Sequence, residues 1–231
     1  MDYTLSPLGE QAIVIEVAET ISTEAQEKVL AVAALLEEYS PGWMVEFIPA
    51  YTSVTVFYRI DQLSEGGPYI EVCKRIQRLM SQVRVKQSQI RTAVRIPVLY
   101  GGEYGPDLAI VAEHNGLSEE EVISIHSSGD YTVHMIGFAP GFPFIGGMSE
   151  KIAAPRRKTP RLEIPARTVG IAGMQTGVYP IGTPGGWQLI GRTPIELFLP
   201  EKNPPSLLAA GDRIEFYPIS EEEYDAMRGE R

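Results

Sequence analysis

The chain has 231 residues, of which 44% are hydrophobic, enough apolar side chains to form a sizeable core and to exclude wholesale disorder. Its 20 basic and 30 acidic side chains give a net charge of −10, which argues against nucleic acid or an anionic membrane as a partner. The longest apolar run, residues 29–36, is eight residues long, whereas a membrane helix needs about 20. No signal peptide is recognisable and Cys73 is the single cysteine, so a cytoplasmic protein without disulfides is predicted.

Glycine and proline divide the sequence into two parts. Residues 1–89 hold four glycines and four prolines, about 9%, and residues 90–231 hold 18 glycines and 14 prolines, about 23%, against an average of roughly 12%. Turns are therefore concentrated in the second part. We predict a small α+β domain at residues 1–88 and a mainly-β domain at residues 89–231.

The first domain is predicted to follow the order ββαββα, with the helices on one face of a sheet. Alternating apolar residues indicate strands, and apolar residues three or four positions apart indicate helices. Thr23 is predicted to begin the first helix with Gln26 as its capping-box partner. The predicted strands are residues 3–8, 12–17, 43–48 and 53–58, and the predicted helices begin at residues 23 and 68.

The second domain begins with two predicted helices and continues with short strands. Asp107 is predicted to cap the first helix, residues 108–114, which Gly116 would end in a left-handed conformation. Ser118 and Glu121 form a capping box for the second helix. Many short strands separated by turns are typical of a barrel or a sandwich. The predicted strands are residues 131–136, 169–172, 187–190, 195–199 and 213–217.

No complete catalytic motif is present. The sequence contains no phosphate-binding loop, no dinucleotide-binding glycine motif after a strand, no nucleophile elbow and no H-E-x-x-H metal motif. His126 lies at the end of a predicted helix, where a histidine near the terminal carbonyls is stabilising, so a structural role is expected for it. His134 lies in a predicted strand and is expected to have a structural role. No catalytic residue and no metal ligand are therefore assigned.

Three segments depart from an ordinary scaffold, and the first is GFAPGFPFIGG at residues 137–147. Its Pro140-Gly141 pair predicts a type II turn, because proline fixes φ of one central residue and glycine takes the positive φ of the next. Such a turn can point backbone N–H groups at an anion or a polarised carbonyl oxygen. Neighbouring aromatic rings would form walls. A tightly packed hairpin corner is the alternative interpretation.

The second segment, PRRKTPRLEIPAR at residues 155–167, carries five cations and one acid within 12 residues. Its three prolines stiffen the chain, which lowers the entropy lost when arginines hold a ligand. Arginine often pairs with carboxylate or phosphate through two parallel hydrogen bonds. Anion binding is one interpretation of this segment, and a solvated surface run is the other.

The third segment, residues 177–194, contains a second Pro-Gly pair within TPGG at residues 183–186. This pair predicts another turn that presents backbone donors. Trp187 follows the turn, and Arg192 lies beyond a short predicted strand. Alternatively, Trp187 is the core anchor of a barrel and the glycines leave room for the backbone of a protein partner.

Together these segments resemble the KipI/PxpB family, which includes the B subunit of 5-oxoprolinase, allophanate hydrolase subunit 1-like proteins and the matching part of urea carboxylase. The resemblance runs along the whole chain and is most specific in GFAPGFPFIGGM, PRRKTPR and GMQTGVYPIGTPGGWQLIGRTP. One departure is Arg167, at a position where the family usually has glycine. This arginine is expected to crowd the pocket beside Arg161.

The resemblance implies a cyclophilin-like β-barrel domain after the small α+β domain. It also implies direct pairing with the C subunit of 5-oxoprolinase and work with its A subunit, the three together cleaving 5-oxo-L-proline to L-glutamate with ATP hydrolysis. ATP would be used by the complex, with no cofactor bound by this chain alone. The alternatives within the family are a regulatory protein that inhibits a sporulation sensor histidine kinase and a subunit of an allophanate- or urea-carboxylase-type enzyme.

We hypothesise that the chain supplies part of a composite substrate pocket. Opening a lactam with ATP develops negative charge on oxygen, which N–H donors and arginine stabilise, and the substrate carboxylate suits a guanidinium. Arginines would hold anions, the turns at residues 137–142 and 183–187 would donate N–H groups, and aromatic rings would form walls. The predicted substrate-binding residues are Phe138, Gly141, Phe142, Arg156, Arg161, Tyr179, Gly185, Gly186, Trp187 and Arg192.

Overall fold

The structure, a computed structural model, describes residues 1–63, 67–84 and 93–229. The chain divides into two compact units, Met1–Ile90 and Arg91–Arg231. The domain boundary that we predict at residue 88 falls within residues 85–92, which lie outside the described residues, so it stays a prediction. Within the described ranges, no helix is long and apolar enough to cross a membrane.

In its described residues, the first unit is an antiparallel sheet of four strands with two helices. Its elements are β1 (Thr4–Pro7), β2 (Ala12–Glu16), α1 (Thr23–Tyr39), β3 (Met44–Pro49), β4 (Ser53–Tyr58), one 3₁₀ turn (Ile60–Gln62) and α2 (Pro68–Met80). The strands lie in the order β1-β2-β4-β3. Ile13 and Val56 on the strands are buried with Val32 and Ile76 on the helices in one apolar core. The helices therefore pack on the sheet through a shared apolar face.

The second unit is built around a closed barrel of seven strands. The elements of this unit are β5 (Val94–Tyr100), α3 (Leu108–Asn115), α4 (Glu119–Ser127), β6 (Tyr131–Ile136), β7 (Pro143–Gly146), a 3₁₀ turn (Glu150–Ile152), β8 (Arg161–Ile164), β9 (Thr168–Ala172), β10 (Gln175–Val178), β11 (Thr183–Gly185), β12 (Gln188–Arg192), β13 (Arg213–Pro218) and α5 (Glu221–Gly229).

The barrel strands lie in the order β10-β7-β6-β13-β5-β12-β9, and β10 pairs with β9 to close the ring. β13 and β5 are parallel, whereas the other neighbours are antiparallel. β8 and β11 form a separate two-stranded sheet. Side chains such as Ile96, Val133 and Ile171 fill the barrel core. A closed barrel, one of the two architectures predicted for this part of the chain, is thus confirmed.

The caps of two helices can be compared directly with the sequence patterns. At α4, Ser118 Oγ accepts from Glu121 N–H at 3.2 Å and the Glu121 carboxylate accepts from Ser118 N–H at 2.8 Å, which confirms the capping box. Helix α1 begins at Thr23 as predicted, but the predicted capping box of Thr23 with Gln26 is wrong. Ser22 is the cap, because its hydroxyl accepts the amide N–H of Ala25 at 3.1 Å.

Residues 195–199 do not form the predicted strand. The Thr193 hydroxyl accepts the N–H of Ile195 at 3.3 Å, and such local bonds compete with pairing between strands. In the described part of the chain, this stretch contributes one isolated bridge, between Phe198 and Ser206. The observed elements that were not predicted are helix α5 and strands β5, β7, β8, β10 and β11.

His126 is a fully buried, neutral residue of α4. Because the Thr176 hydroxyl donates to the Gly170 carbonyl, its oxygen accepts from His126 Nε2–H at 2.9 Å. His126 Nδ1 then accepts from the Tyr100 hydroxyl at 2.7 Å. Both ring nitrogens are satisfied in the neutral form, and burial lowers the pKa of His126 to about 3. His126 therefore has a structural role, as predicted, but it acts through buried hydrogen bonds to Tyr100 and Thr176 and not through the carbonyls at the end of α4.

We expect His126 to make the barrel less stable as the pH falls. The pKa of its ring is about 3 in the folded state and about 6.5 in the unfolded state. Between these values the unfolded state binds more protons, so the free energy of unfolding decreases as the pH decreases. From about pH 7.5 to about pH 5.5 the loss due to His126 alone is about 1.4 kcal/mol.

The measurement is urea unfolding at both pH values, followed by the fluorescence of Trp187 in a Trp43→Phe background. His126→Asn is expected to lose this pH dependence, although it is less stable at both pH values. His114→Asn, at an exposed histidine, is the matched control and is expected to keep it. If His126→Asn retained the pH dependence, the buried neutral ring would not be its source.

Candidate functional site

The segment that follows β6 forms the predicted turn. Phe142 N–H donates to the Ala139 carbonyl at 3.0 Å, and Gly141 has a φ of +75°, as a type II turn centred on Pro140 and Gly141 requires. Gly137 N–H donates back to the Phe142 carbonyl at 3.1 Å. The turn delivers the buried ring of Phe142 to the start of β7.

Phe138 occupies a strained and exposed position in this loop. Its φ of +70° lies in the left-handed region, which costs a residue with a side chain about 1–2 kcal/mol. Phe138 is 66% exposed, and its ring meets that of Phe142 edge to face at a centroid separation of 5.4 Å. Strain of this kind clusters at binding sites, where the surrounding structure holds it in place.

A cavity of about 290 Å³ opens beside this turn. Phe142 is central to its walls, because its ring packs edge-on against Phe144, Tyr179 and Trp187 at centroid separations of 4.9, 5.1 and 5.5 Å. The lining residues are Phe138, Phe142, Phe144, Arg156, Pro160, Tyr179, Pro184, Gly185, Gly186 and Trp187.

The cavity brings together seven of the ten predicted substrate-binding residues. Trp187 lines the cavity and is 5% exposed in a small apolar cluster that is separate from the barrel core. It is therefore not the core anchor of the barrel, and its role as a wall for a substrate stays a prediction. Phe144 was not among the predicted residues. Its spacing of two from Phe142 could have identified it, because alternate residues of an extended chain point to the same side.

The second predicted Pro-Gly turn is not formed. Thr183–Gly185 is strand β11, which pairs with β8, and neither Gly185 nor Gly186 has a positive φ. Glycine is needed at residue 185 for space instead. A Cβ atom there would lie 2.6 Å from Tyr179 Oη and 2.7 Å from Ile164 Cδ1.

Tyr179 is a neutral hydrogen-bond donor in the wall of the cavity. Burial raises the pKa of Tyr179 to about 12, although the charge of Arg156, a hydrogen bond from the backbone of Trp187 and the charge of Arg161 oppose the shift. A neutral phenol carries a hydrogen that it can donate to a ligand oxygen. The phenol is therefore suited to donate to a carbonyl or an oxyanion.

Arg156 supplies positive charge to the cavity. It is exposed, and within the described part of the chain it makes no salt bridge and no hydrogen bond. Its side chain lines the cavity together with the aromatic residues. The guanidinium is thus available to pair with a ligand carboxylate or phosphate.

Arg161 is bound to Asp107 and does not line the cavity. Its two terminal nitrogens each donate to the Asp107 carboxylate at 2.8 Å. Arg157 Nη1 donates to the same carboxylate at 3.2 Å, and Leu189 N–H donates to it at 2.7 Å. Because these partners occupy the carboxylate, Asp107 makes no side-chain capping bond to α3. Asp107 thus occupies the predicted N-cap position of α3 but does not cap the helix with its side chain.

Arg192 and Gly141 also lie outside the cavity lining. Arg192 Nε donates to the Ala166 carbonyl at 3.0 Å, and Gly141 faces Phe198, to which an added Cβ would approach within 3.0 Å. The predicted convergence of three arginines on one pocket is corrected accordingly. Of these three, Arg156 alone lines the cavity.

Arg167 has a φ of +70°, which explains why glycine suits this position. Its guanidinium is directed to Glu196, with Nη1 at 3.3 Å from the carboxylate. Arg167 is not part of the cavity lining. The expected crowding of the pocket by this arginine is therefore not found.

Gly185→Ala is expected to destabilise the barrel by about 1–3 kcal/mol, the usual cost of overpacking. The reason is the 2.6 Å separation that its Cβ would have from Tyr179 Oη. Gly182→Ala is the control, because the nearest atom to its Cβ would lie at 3.8 Å. Urea unfolding followed by Trp187 fluorescence compares the two variants. Equal stabilities would contradict the close packing of Gly185 on Tyr179.

Comparison with known proteins places this site in a family. Residues 3–208 match the family model for the carboxyltransferase domain, subdomain C and D. The B subunit of 5-oxoprolinase from Bacillus subtilis (strain 168) is 50% identical over 234 residues, which covers 99% of this chain and 98% of that protein. The protein of the same name from Escherichia coli O157:H7 is 42% identical over 93% of this chain and 95% of its own length.

A solved structure agrees with the sequence relatives. The crystal structure of TTHA0988 matches with a TM-score of 0.80 and 35% identity over 91% of this chain. This chain spans 40% of that longer chain. Sequence and fold thus point to one group, and the chain belongs to the carboxyltransferase subdomain C and D family, within its group of 5-oxoprolinase B subunits.

Proposed function

We propose that this chain is the B subunit of an ATP-dependent 5-oxoprolinase and that its cavity takes 5-oxo-L-proline. The observation that carries the proposal is a cavity of about 290 Å³ with aromatic walls, a phenol donor and one guanidinium that has no partner in the described residues. The relatives at 42% and 50% identity over nearly the full chain support it. The substrate is a five-membered lactam with one carboxylate, which matches this set of groups.

Each part of the substrate has a partner in the cavity. Arg156 pairs with the carboxylate, because a charge-assisted hydrogen bond is the strongest contact that the lining offers. The apolar edge of the lactam ring lies against Phe142 and Trp187. The Tyr179 hydroxyl donates to the lactam oxygen, which leaves the substrate oriented by two polar contacts and one apolar face.

The role of this chain in the reaction is to bind the lactam and to stabilise charge on its oxygen. Ring opening with ATP begins with transfer of the γ-phosphoryl group to the lactam oxygen, which releases ADP. Water then adds to the ring carbon, and the C–N bond breaks to leave the free amine and an acyl phosphate. A second water hydrolyses this acyl phosphate to L-glutamate and phosphate. Negative charge develops on oxygen at the ring carbon in the tetrahedral intermediate that water addition forms, and a fixed donor such as Tyr179 stabilises it. No residue of this chain is assigned as nucleophile or general base.

The other parts of the active site are proposed to come from partner proteins. The relatives are named as B subunits, and the sequence has no phosphate-binding loop, which together support ATP binding at least partly outside this chain. We propose that the barrel is of the cyclophilin-like type. We also propose that this chain pairs directly with the C subunit of the enzyme and that the A subunit takes part in the same reaction. Exposed apolar residues at the cavity, Phe138 and Pro184, are suited to being covered by such a partner.

Arg156→Ala is expected to raise KM for 5-oxo-L-proline about 10- to 150-fold, which corresponds to the loss of a charged hydrogen bond of about 1.5–3 kcal/mol. The measurement is 5-oxoproline-dependent ATP hydrolysis by this chain assembled with its A and C partners. Lys158→Ala removes an exposed cation that does not line the cavity and is the matched control. An unchanged KM in Arg156→Ala would show that Arg156 does not bind the substrate carboxylate.

Tyr179→Phe is expected to lower kcat about 10²- to 10³-fold, the usual effect of removing one donor to a developing oxyanion. KM is expected to change little, because the ring that packs on Phe142 is kept. Single-turnover measurements with the same assembled complex separate the chemical step from product release. Full activity of Tyr179→Phe would show that another group stabilises the oxygen.

A further inference from the structure

The buried carboxylate of Asp107 faces one side of the basic segment, residues 155–161, whose other side contributes to the cavity. Asp107 is 2% exposed and accepts hydrogen bonds from Arg157, Arg161 and the backbone of Leu189. Its own N–H donates to the Leu189 carbonyl at 2.8 Å, so it is tied to β12 in both directions. The carboxylate therefore joins the basic segment to a barrel strand.

The opposite side of the same segment lines the cavity. Arg156 and Pro160 contribute to the lining, whereas Arg157 and Arg161 point to Asp107. Residues 155–160 form neither helix nor strand. The segment thus depends on individual contacts to hold the position of its cavity-facing residues.

The position of Arg156 is fixed by contacts of its two neighbours in the chain. On one side of it, the Pro155 carbonyl accepts from Gln188 Nε2 at 2.9 Å. On the other side, Arg157 N–H donates to the Gly186 carbonyl at 2.7 Å, and the Arg157 side chain reaches Asp107. A buried carboxylate between two guanidinium groups is a stiff contact, because breaking it would leave charges without partners in a poorly solvated place.

We propose that Asp107 is a positioning residue that holds Arg156 at the cavity through Arg157 and Arg161. This inference rests on the proposed function for the identity of the ligand. It predicts a specific kinetic signature, because Asp107 acts on substrate binding through Arg156 and touches no substrate itself.

The first experiment is a double-mutant cycle in the assembled complex. Asp107→Asn is expected to raise KM for 5-oxo-L-proline about tenfold with kcat changed less than about threefold, as for the loss of uniform binding. In an Arg156→Ala background the same change is expected to have no further effect on KM, because the residue that it positions is gone. An equal rise of KM in both backgrounds would overturn the inference while leaving the proposed function intact.

The second experiment does not depend on activity. Hydrogen–deuterium exchange of the full chain is expected to be about tenfold faster at residues 156–161 in Asp107→Asn than in the natural protein, because local opening needs less free energy. Asp130→Asn, at an exposed aspartate paired with Arg213, is the control and is expected to leave this segment unchanged. Unchanged exchange in Asp107→Asn would overturn the inference.

Arg161→Gln provides the same tests if Asp107→Asn does not fold. It removes one guanidinium and leaves the carboxylate paired with Arg157 and with Leu189 N–H. Faster exchange at residues 156–160 and a KM effect that disappears in the Arg156→Ala background are expected again. If the wild-type complex hydrolysed no ATP in the presence of 5-oxoproline, the proposed function would be wrong. The exchange measurement would then be the test of whether Asp107 holds the basic segment in place.

Discussion

The carboxylate of Asp107 connects three parts of the barrel unit that are far apart in the sequence. Arg157, Arg161 and Leu189 follow it by 50, 54 and 82 residues. Burying a carboxylate is costly unless charges and N–H donors surround it, and here two guanidinium groups and one amide do so. Breaking a buried pair of this kind typically costs about 3–5 kcal/mol, so the start of α3, β12 and the basic segment are held as one body.

The cavity next to this contact owes its shape to glycine as much as to aromatic residues. Gly177 lies on β10 where a Cβ would come within 3.1 Å of both the Phe142 and the Trp187 rings, so the rings pack directly on the barrel backbone. Gly185 makes the same allowance for Tyr179. The result is a rigid aromatic wall in which one phenol and one guanidinium are the polar groups suited to a small anionic ligand.

Local signals in the sequence predicted local structure well. The Ser118–Glu121 box and the Pro140-Gly141 turn each depend on a few neighbouring residues, and both are observed. The cap of α1 was wrong by one position, because Ser22 and Thr23 carry the same hydroxyl chemistry and only the observed backbone selects Ser22. The strand pattern failed at β8 and β11, which are only four and three residues long. Pro160 and Pro165 flank β8, and Pro184 lies within β11.

The sequence identified most of the residues that line the cavity, but it did not show which side chains contact one another. The odd composition of three segments identified seven lining residues, but it could not separate Arg156, which lines the cavity, from Arg161, which Asp107 holds. That distinction depends on an acid 54 residues away in the sequence. The TPGG signal was misread for a related reason, because glycine at residue 185 serves close packing on Tyr179 and not a turn.

The proposed role of this chain requires that a small cyclic amide with a carboxylate occupies the aromatic cavity. A crystal structure of the chain assembled with its partners and 5-oxo-L-proline tests this most directly. We expect the ligand carboxylate within hydrogen-bond distance of the Arg156 guanidinium and the lactam oxygen within hydrogen-bond distance of Tyr179 Oη. A ligand bound elsewhere in the complex, with the aromatic cavity empty, would show that this cavity is not the site for 5-oxo-L-proline.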